Sequence, residues 1–294
     1  MSKIAQLKDE MLFFKSLSEV IDVLKSAASA QFRNVQSKAN IKRDFVKSIA
    51  EAISFLLGQT IYSRYFMELK NAPSLILCIT SDGGFLGELN TLSVNAAVDS
   101  MGHKDDEIVV MGERGGHYLN DMGKPHTFFK GISDNLDQKE AYPIRAYLFK
   151  RFREVRFGRI IVVYPRFISM SNRKIECRLL LPLVPSLKNL SEEAGIRVTG
   201  KETPVREEDV PLIEPSAEAV LEVLARMWVG YWLHDIFCSS KLCEYSARIM
   251  HLELSTEELK TLNRQLLISF FRTKHGLSDK NIREVQVSRL MLRR

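Results

Sequence analysis

The sequence predicts an α/β chain in which two long terminal helices pair as an antiparallel coiled coil around an inserted three-layer α/β domain. Three observations carry this. All nine prolines lie between Pro73 and Pro215, so both ends are free of the strongest helix breaker. At both ends apolar residues recur at alternating spacings of three and four, the seam of a helix that lies against another helix. Between them the pattern shifts to short apolar runs divided by glycine-rich turns, the signature of strands. The expected divisions are an N-terminal helix over 1–72, the insert with its return loop over 73–213, and a C-terminal helix over 214–294.

The first helix is expected near residues 3–57, which at ~1.5 Å per residue is roughly 80 Å long. Its seam reads Ile4, Leu7, Met11, Phe14, Ile21, Ala28, Phe32 and Val35, broken at Ser18 and Lys25. The small residues Ala27 to Ala30 permit close approach of a partner helix, with Lys25 and Arg33 on either side. Asn71-Ala72-Pro73 reads as a turn into the insert.

In the insert, Ser74 to Thr80 is a continuous apolar run of the kind buried on both faces of a parallel sheet. The glycine-rich turn Ser81 to Asn90 follows, then a helical run through Val94, Ala97 and Val98, which opens a β-α-β unit. A second strand is expected at Glu107 to Gly112, a turn at Gly115-Gly116, and a third, short strand near His126 to Phe129. A helix is expected to begin near Pro143, where a first-turn proline is tolerated. Arg159 to Tyr164 reads as a buried strand, Lys174 to Leu181 as an edge or antiparallel one, and Leu187 to Ile213 as a return loop.

The last helix carries the seam Leu242, Tyr245, Ile249, Leu252, Leu259 and Leu266, with Thr256 and Asn263 in the two missing steps. Trp228, Tyr231 and Trp232 read as packing against the insert rather than as a cofactor box. From Leu259 onward nine basic residues face two acids, so this end holds +7 of a chain whose net charge is +6. Such an end suits an acidic protein surface, a nucleic acid or an anionic membrane.

Catalytic chemistry finds little foothold. The Gly83-Gly84-x-x-Gly87 turn is neither a dinucleotide fingerprint nor a P-loop, and Glu88 puts a carboxylate where a phosphate would sit. The six histidines show no metal-ligand spacing, and Ser81-Asp82 lacks a nucleophile elbow. Cys78, Cys177, Cys238 and Cys243 form no CxxC pair and are expected as buried free thiols. No apolar run is long enough to span a bilayer, and the N-terminus does not read as a secretory or transit signal.

Several short motifs in order carry a resemblance to the gamma subunit of the F-type ATP synthase. Ser81 to Asn90 resembles the family's TDRGLCGGLN turn through Asp82, Gly84, Gly87, Leu89 and Asn90. Phe167 to Ser171 and Leu180 to Leu183 resemble its FxxxM segment and LLPL strand, and Glu214-Pro215 its EP element. Glu244 to Met250 resembles ExxARMxAM, with Ala247 and Arg248 in the central pair, and Ala27-Ala28-Ser29 falls on VAAS. The family's KITKAM run is not evident, and the glycine- and alanine-rich ending is missing, so the chain resembles a divergent member. Counted without gaps from Ala247-Arg248, the family's functional Arg-Gln pair falls on Lys274-His275 rather than on Arg264-Gln265.

The resemblance implies a Rossmann-like insert and a non-catalytic central stalk that couples ion translocation to ATP synthesis or hydrolysis. It implies as partners the alpha and beta subunits of the catalytic ring, an epsilon-type subunit and the membrane rotor ring, without cofactor, metal or nucleic acid. It implies a cytoplasmic place, peripheral to the inner (plasma) membrane through the complex. Lys25, Arg33, Lys274, His275 and Lys280 are the expected partner contacts. Two alternatives stand beside it: a Rossmann-like nucleotide-binding enzyme using the glycine turn, and a nucleic-acid-binding coiled coil using the basic end.

Overall fold

A computed structural model describes residues 3–38, 43–57, 64–66, 69, 71–134, 136, 139, 141–155, 157–183 and 213–291. In chain order these form helices α1 (Lys3–Lys38) and α2 (Arg43–Leu57), strand β1 (Ser74–Ile79), α3 (Leu89–Asp99), β2 (Glu107–Met111), α4 (Glu113–Asp121) and β3 (His126–Phe129). There follow α5 (Ala141–Glu154), β4 (Arg159–Phe167), β5 (Arg173–Leu181) and the 75-residue helix α6 (Ala217–Met291). Most of the expected return loop lies outside the described residues. The chain divides into two compact units, residues 1–30 with 248–294, and residues 31–247.

In the larger unit a five-stranded sheet has the order β3-β2-β1-β4-β5. Strands β1 to β4 pair in parallel, and β5 closes one edge antiparallel to β4. The central strand β1 is buried along its whole length, as its continuous apolar run requires. Alternate residues serve opposite faces. Ile76, Cys78, Ile108, Val110 and Val163 meet Val94, Ala97 and Leu119 of α3 and α4. Leu75, Leu77, Ile79, Val109 and Val162 join a larger core with Ile53 of α2, Leu148, Phe149 and Phe152 of α5, and Trp228, Leu233 and Phe237 of α6. Helices thus cover both faces, which gives the three layers. Trp228 and Trp232 sit in this core with ring centroids 6.0 Å apart, as packing residues.

In the smaller unit α1 and α6 pack side by side. Ile21, Leu252 and Leu259 form its buried centre, with Phe14 and Leu17 against it. Burial along α1 follows the seven-residue repeat, with Leu7, Ile21 and Ala28 inside and Gln6, Lys8, Val20, Asp22 and Ala27 exposed. Thr256 fills its seam step at 4% exposure and satisfies its hydroxyl on the Leu252 carbonyl one turn earlier, at 2.9 Å. Lys25, also at a seam step, reaches Glu253 at 2.8 Å and holds that carboxyl below its usual range.

The helix expected over 3–57 is described as α1 and α2, with residues 39–42 between them outside the described residues, and α2 turns Ile49, Ala50, Ile53 and Leu56 into the core of the larger unit. Two expectations are corrected. Gly115-Gly116 is not a turn but lies within α4, where a side chain at Gly115 would stand 2.4 Å from the Thr80 hydroxyl. The turn belongs to Gly112, at φ +105°. Cys177 is exposed on the edge strand β5, whereas Cys78, Cys238 and Cys243 are buried. Burial pushes those three thiols up, to about 12, 11 and 12.

Candidate functional site

Three places gather the residues singled out by sequence. The first is the turn after β1. Asn90, 8% exposed, accepts the Ser81 amide at 3.1 Å and donates to the Ser81 hydroxyl at 3.0 Å, so the side chain of α3 closes the loop that leads into it. Gly87 takes φ +59°, a conformation that only glycine adopts without strain. Gly84 has no such constraint, and a side chain there would make an ordinary 3.6 Å contact with Arg114. Phe85 is 66% exposed at φ +62°, while Leu86 turns inward to pack with Leu89, Cys243 and Ala247. Ala247 is 1% exposed, and its small size lets the turn sit against α6.

Asp82 decides what this turn can bind. Its Oδ1 accepts the amide of Glu113, the first residue of α4, at 2.9 Å and that of Gly131 at 3.2 Å. The positive end of α4, where an anion would dock, is thereby met at the Glu113 amide by a carboxylate of the chain itself, while the next two amides of the turn, of Arg114 and Gly115, donate to the Ser81 carbonyl and the Thr80 hydroxyl, each at 3.1 Å. Glu88 stands at the start of α3 as its N-cap residue. The nearby cavity between Thr80, Asn90 and Lys241 has a volume of about 10 Å³, room for about one water and not for a nucleotide. Among the described residues no cluster of His, Cys, Asp and Glu is placed to hold a metal ion. The geometry is that of a closed structural turn.

The second place is the helix pair. Lys25 is committed to Glu253, with Asp22 at 3.9 Å, so its charge serves the pairing of α1 with α6. Arg33 is exposed on α1 within the larger unit, and Arg248 is partly buried on α6. The third is the end of α6, where residues 274–289 are exposed throughout. Lys274, His275 and Lys280 lie on this surface with Arg283 and Arg289, and Lys280 approaches Glu284 at 3.7 Å. Leu277, Ile282, Val285 and Val287 are exposed beside them. The register-derived Lys274-His275 and the rejected Arg264-Gln265 are both exposed, so burial does not separate them.

Sequence reasoning did not find a fourth grouping, in the larger unit. Lys241 of α6, with a side chain 8% exposed, lies 3.1 Å from Asp134 and 2.9 Å from Glu244. The one available signal was a lysine between the apolar pairs Ile236-Phe237 and Leu242-Cys243.

A family model described as ATP synthase matches residues 3–285. The ATP synthase gamma chain of Akkermansia muciniphila is 22% identical over 287 residues, covering 97% of each chain. That of Halothermothrix orenii is 24% identical over 291 residues with the same coverage, and that of Chlorobium luteolum 25% over 285 residues and 92% of each. In fold the chain is similar to one in the rotor of the Euglena gracilis mitochondrial ATP synthase, with a TM-score of 0.61 at 17% identity, covering 93% of this chain and 98% of that one. A chain in the OSCP/F1/c-ring structure from the same organism gives a TM-score of 0.66 at 16% identity, covering 98% and 94%. The family model takes in α1, the sheet with its helices, and α6 nearly to its end. The chain belongs to the ATP synthase family, and the relatives it matches over almost their whole length are gamma chains.

Proposed function

We propose that the chain is the central-stalk gamma subunit of an F-type ATP synthase, a shaft without a catalytic site of its own. Catalysis belongs to the beta subunits of the ring in which the shaft turns. The observation that carries this reading is the paired seam of α1 and α6, formed by residues from the two ends of a gamma-like chain. A shaft must resist bending, and interlocked apolar residues along two helices supply that stiffness. No helix of the described residues is long and apolar enough to cross a membrane. In this reading contact with the membrane runs through the complex.

The partners of this reading are the alpha and beta subunits, an epsilon-type subunit and the membrane rotor ring, at the cytoplasmic face of the inner (plasma) membrane. In this reading α1 and α6 serve as the two strands of the shaft, and the inserted α/β domain is the part that meets the epsilon-type subunit and the membrane rotor ring. Arg33, Lys274, His275 and Lys280 supply exposed contacts to the ring. A charge there biases a ring subunit only where its contact differs between that subunit's conformations. Lys25 acts in the same region by holding α1 to Glu253. The nucleotide-enzyme alternative loses its support to the Asp82 carboxylate at the head of α4. The test is co-purification at native expression: the tagged chain brings down alpha and beta subunits, and recovery of neither overturns the assignment.

A further inference from the structure

Lys241 occupies a position where packing alone calls for an apolar side chain. It lies on α6 beside the core residues Phe237, Cys238 and Leu242, at 6% exposure, yet carries an ammonium group. Its Nζ bonds Asp134 Oδ1 at 3.1 Å and Glu244 Oε2 at 2.9 Å. Asp134 stands in the loop after β3. Its Oδ1 also accepts the Tyr245 hydroxyl of α6, and its Oδ2 accepts the Gln31 side-chain amide of α1 at 3.0 Å. A single carboxylate of the α/β body is thus held by both long helices at once. All five residues belong to the larger unit.

The Lys241 and Glu244 side chains are buried, at 8% and 9% exposure, while the Asp134 side chain is 56% exposed, so the cluster runs from the core to the surface. Ion pairs with a buried partner are poor sources of stability, because desolvation offsets most of the attraction, and apolar residues of like volume often do as well. Their best-attested use is to select one arrangement over its neighbours. This cluster has the geometry for that. A slip of α6 by one residue moves a side chain by ~1.5 Å along the axis and ~100° around it. Lys241 and Tyr245 leave Asp134 together in such a slip, which adds a directional polar contact to the packing of Trp228, Leu233 and Phe237 in the core.

We propose that Asp134 and Lys241 are positioning residues for coupling: within the larger unit they form the joint that holds α6 and the end of α1 in one register against the loop after β3. The proposal rests on the rotor-shaft reading above. Breaking the joint leaves ATP hydrolysis intact and lowers the number of ions pumped per ATP, because α6 is then no longer held to a single register in the larger unit.

The test uses the complete complex in sealed vesicles and reads ATP hydrolysis and ATP-driven ion pumping in parallel. Asp134→Asn and Lys241→Met are expected to keep hydrolysis near the parent rate. Their pumping per ATP should fall by about threefold or more, because contacts within one polar network depend on each other. Lys241→Arg, which keeps the charge, should restore the ratio. Tyr245→Phe, which removes one donor and little volume, provides a readout even if Lys241→Met does not assemble. Ile53→Val, in the same core and away from the cluster, serves as the control for simple destabilisation. An unchanged ratio in Asp134→Asn and Tyr245→Phe overturns the proposal, as does an equal fall in Ile53→Val at matched melting temperature. A parent chain that fails to assemble or pump overturns the rotor reading itself, and the joint with it.

Discussion

Replacing Asp82 probes the turn at the point where the fold and the absence of a nucleotide site meet. Its Oδ1 takes two backbone amides, from Glu113 at 2.9 Å and Gly131 at 3.2 Å. The N-cap residue of α4 is Gly112, which has no side chain, so Asp82 caps the helix from 31 residues upstream in sequence. Loss of a cap costs about 0.5–2 kcal/mol. Loss of a second amide bond adds about 0.5–1.5 kcal/mol. Asp82→Ala should therefore destabilise by roughly 1–3.5 kcal/mol. Asp82→Asn keeps an acceptor oxygen and loses only the charge at the helix head, worth about 0.3–1 kcal/mol. Urea unfolding followed by tryptophan fluorescence reads the right region, since Trp228 and Trp232 both lie in the core of the same unit. An alanine variant within about 0.5 kcal/mol of the parent, the range of an ordinary surface substitution, refutes the capping account. So does an asparagine variant as costly as alanine.

Two glycines should respond to alanine with opposite signs. Gly276 lies in an exposed stretch of α6 with nothing within 4 Å, so Gly276→Ala should stabilise by about 0.5–1 kcal/mol in thermal unfolding. Gly115→Ala places a methyl group 2.4 Å from Thr80 Oγ1 and 2.8 Å from Val110 Cγ2, and overpacking of about 1–3 kcal/mol should outweigh the helix gain. Stability should fall as pH rises above about 8.5, where unfolded thiols ionise while Cys78, Cys238 and Cys243 keep their protons in the fold. The folded state then binds more protons than the unfolded one, and a Cys78→Ala, Cys243→Ala double variant should show a shallower alkaline decline in melting temperature. Lys274→Glu with Lys280→Glu should weaken association with alpha and beta subunits and reduce its salt dependence, read by sedimentation at two ionic strengths.

The periodic features were legible because each is a local rule repeated many times. The seam through Leu252, Thr256 and Leu259 and the buried run of β1 both follow from spacing alone, and the five strands fall close to their expected places. What stayed hidden depends on contacts distant in sequence. Gly115 reads as a turn until Thr80, 35 residues earlier, is seen against it. Cys177 reads as buried until its strand is placed at the sheet edge. The bond from Lys241 to Asp134 spans 107 positions, and no spacing rule connects them. At the end of α6, sequence register alone distinguishes Lys274-His275 from Arg264-Gln265.

Rotation tests the central claim most directly. Cys177 is the one exposed thiol among the four, which makes it the place to attach a visible probe. The chain is assembled with alpha and beta subunits, the ring is fixed to a surface, and the probe is followed before and after ATP is added. The rotor account predicts stepwise turning in one direction that stops when ATP is exhausted. An assembled complex that hydrolyses ATP while the probe stays still contradicts it.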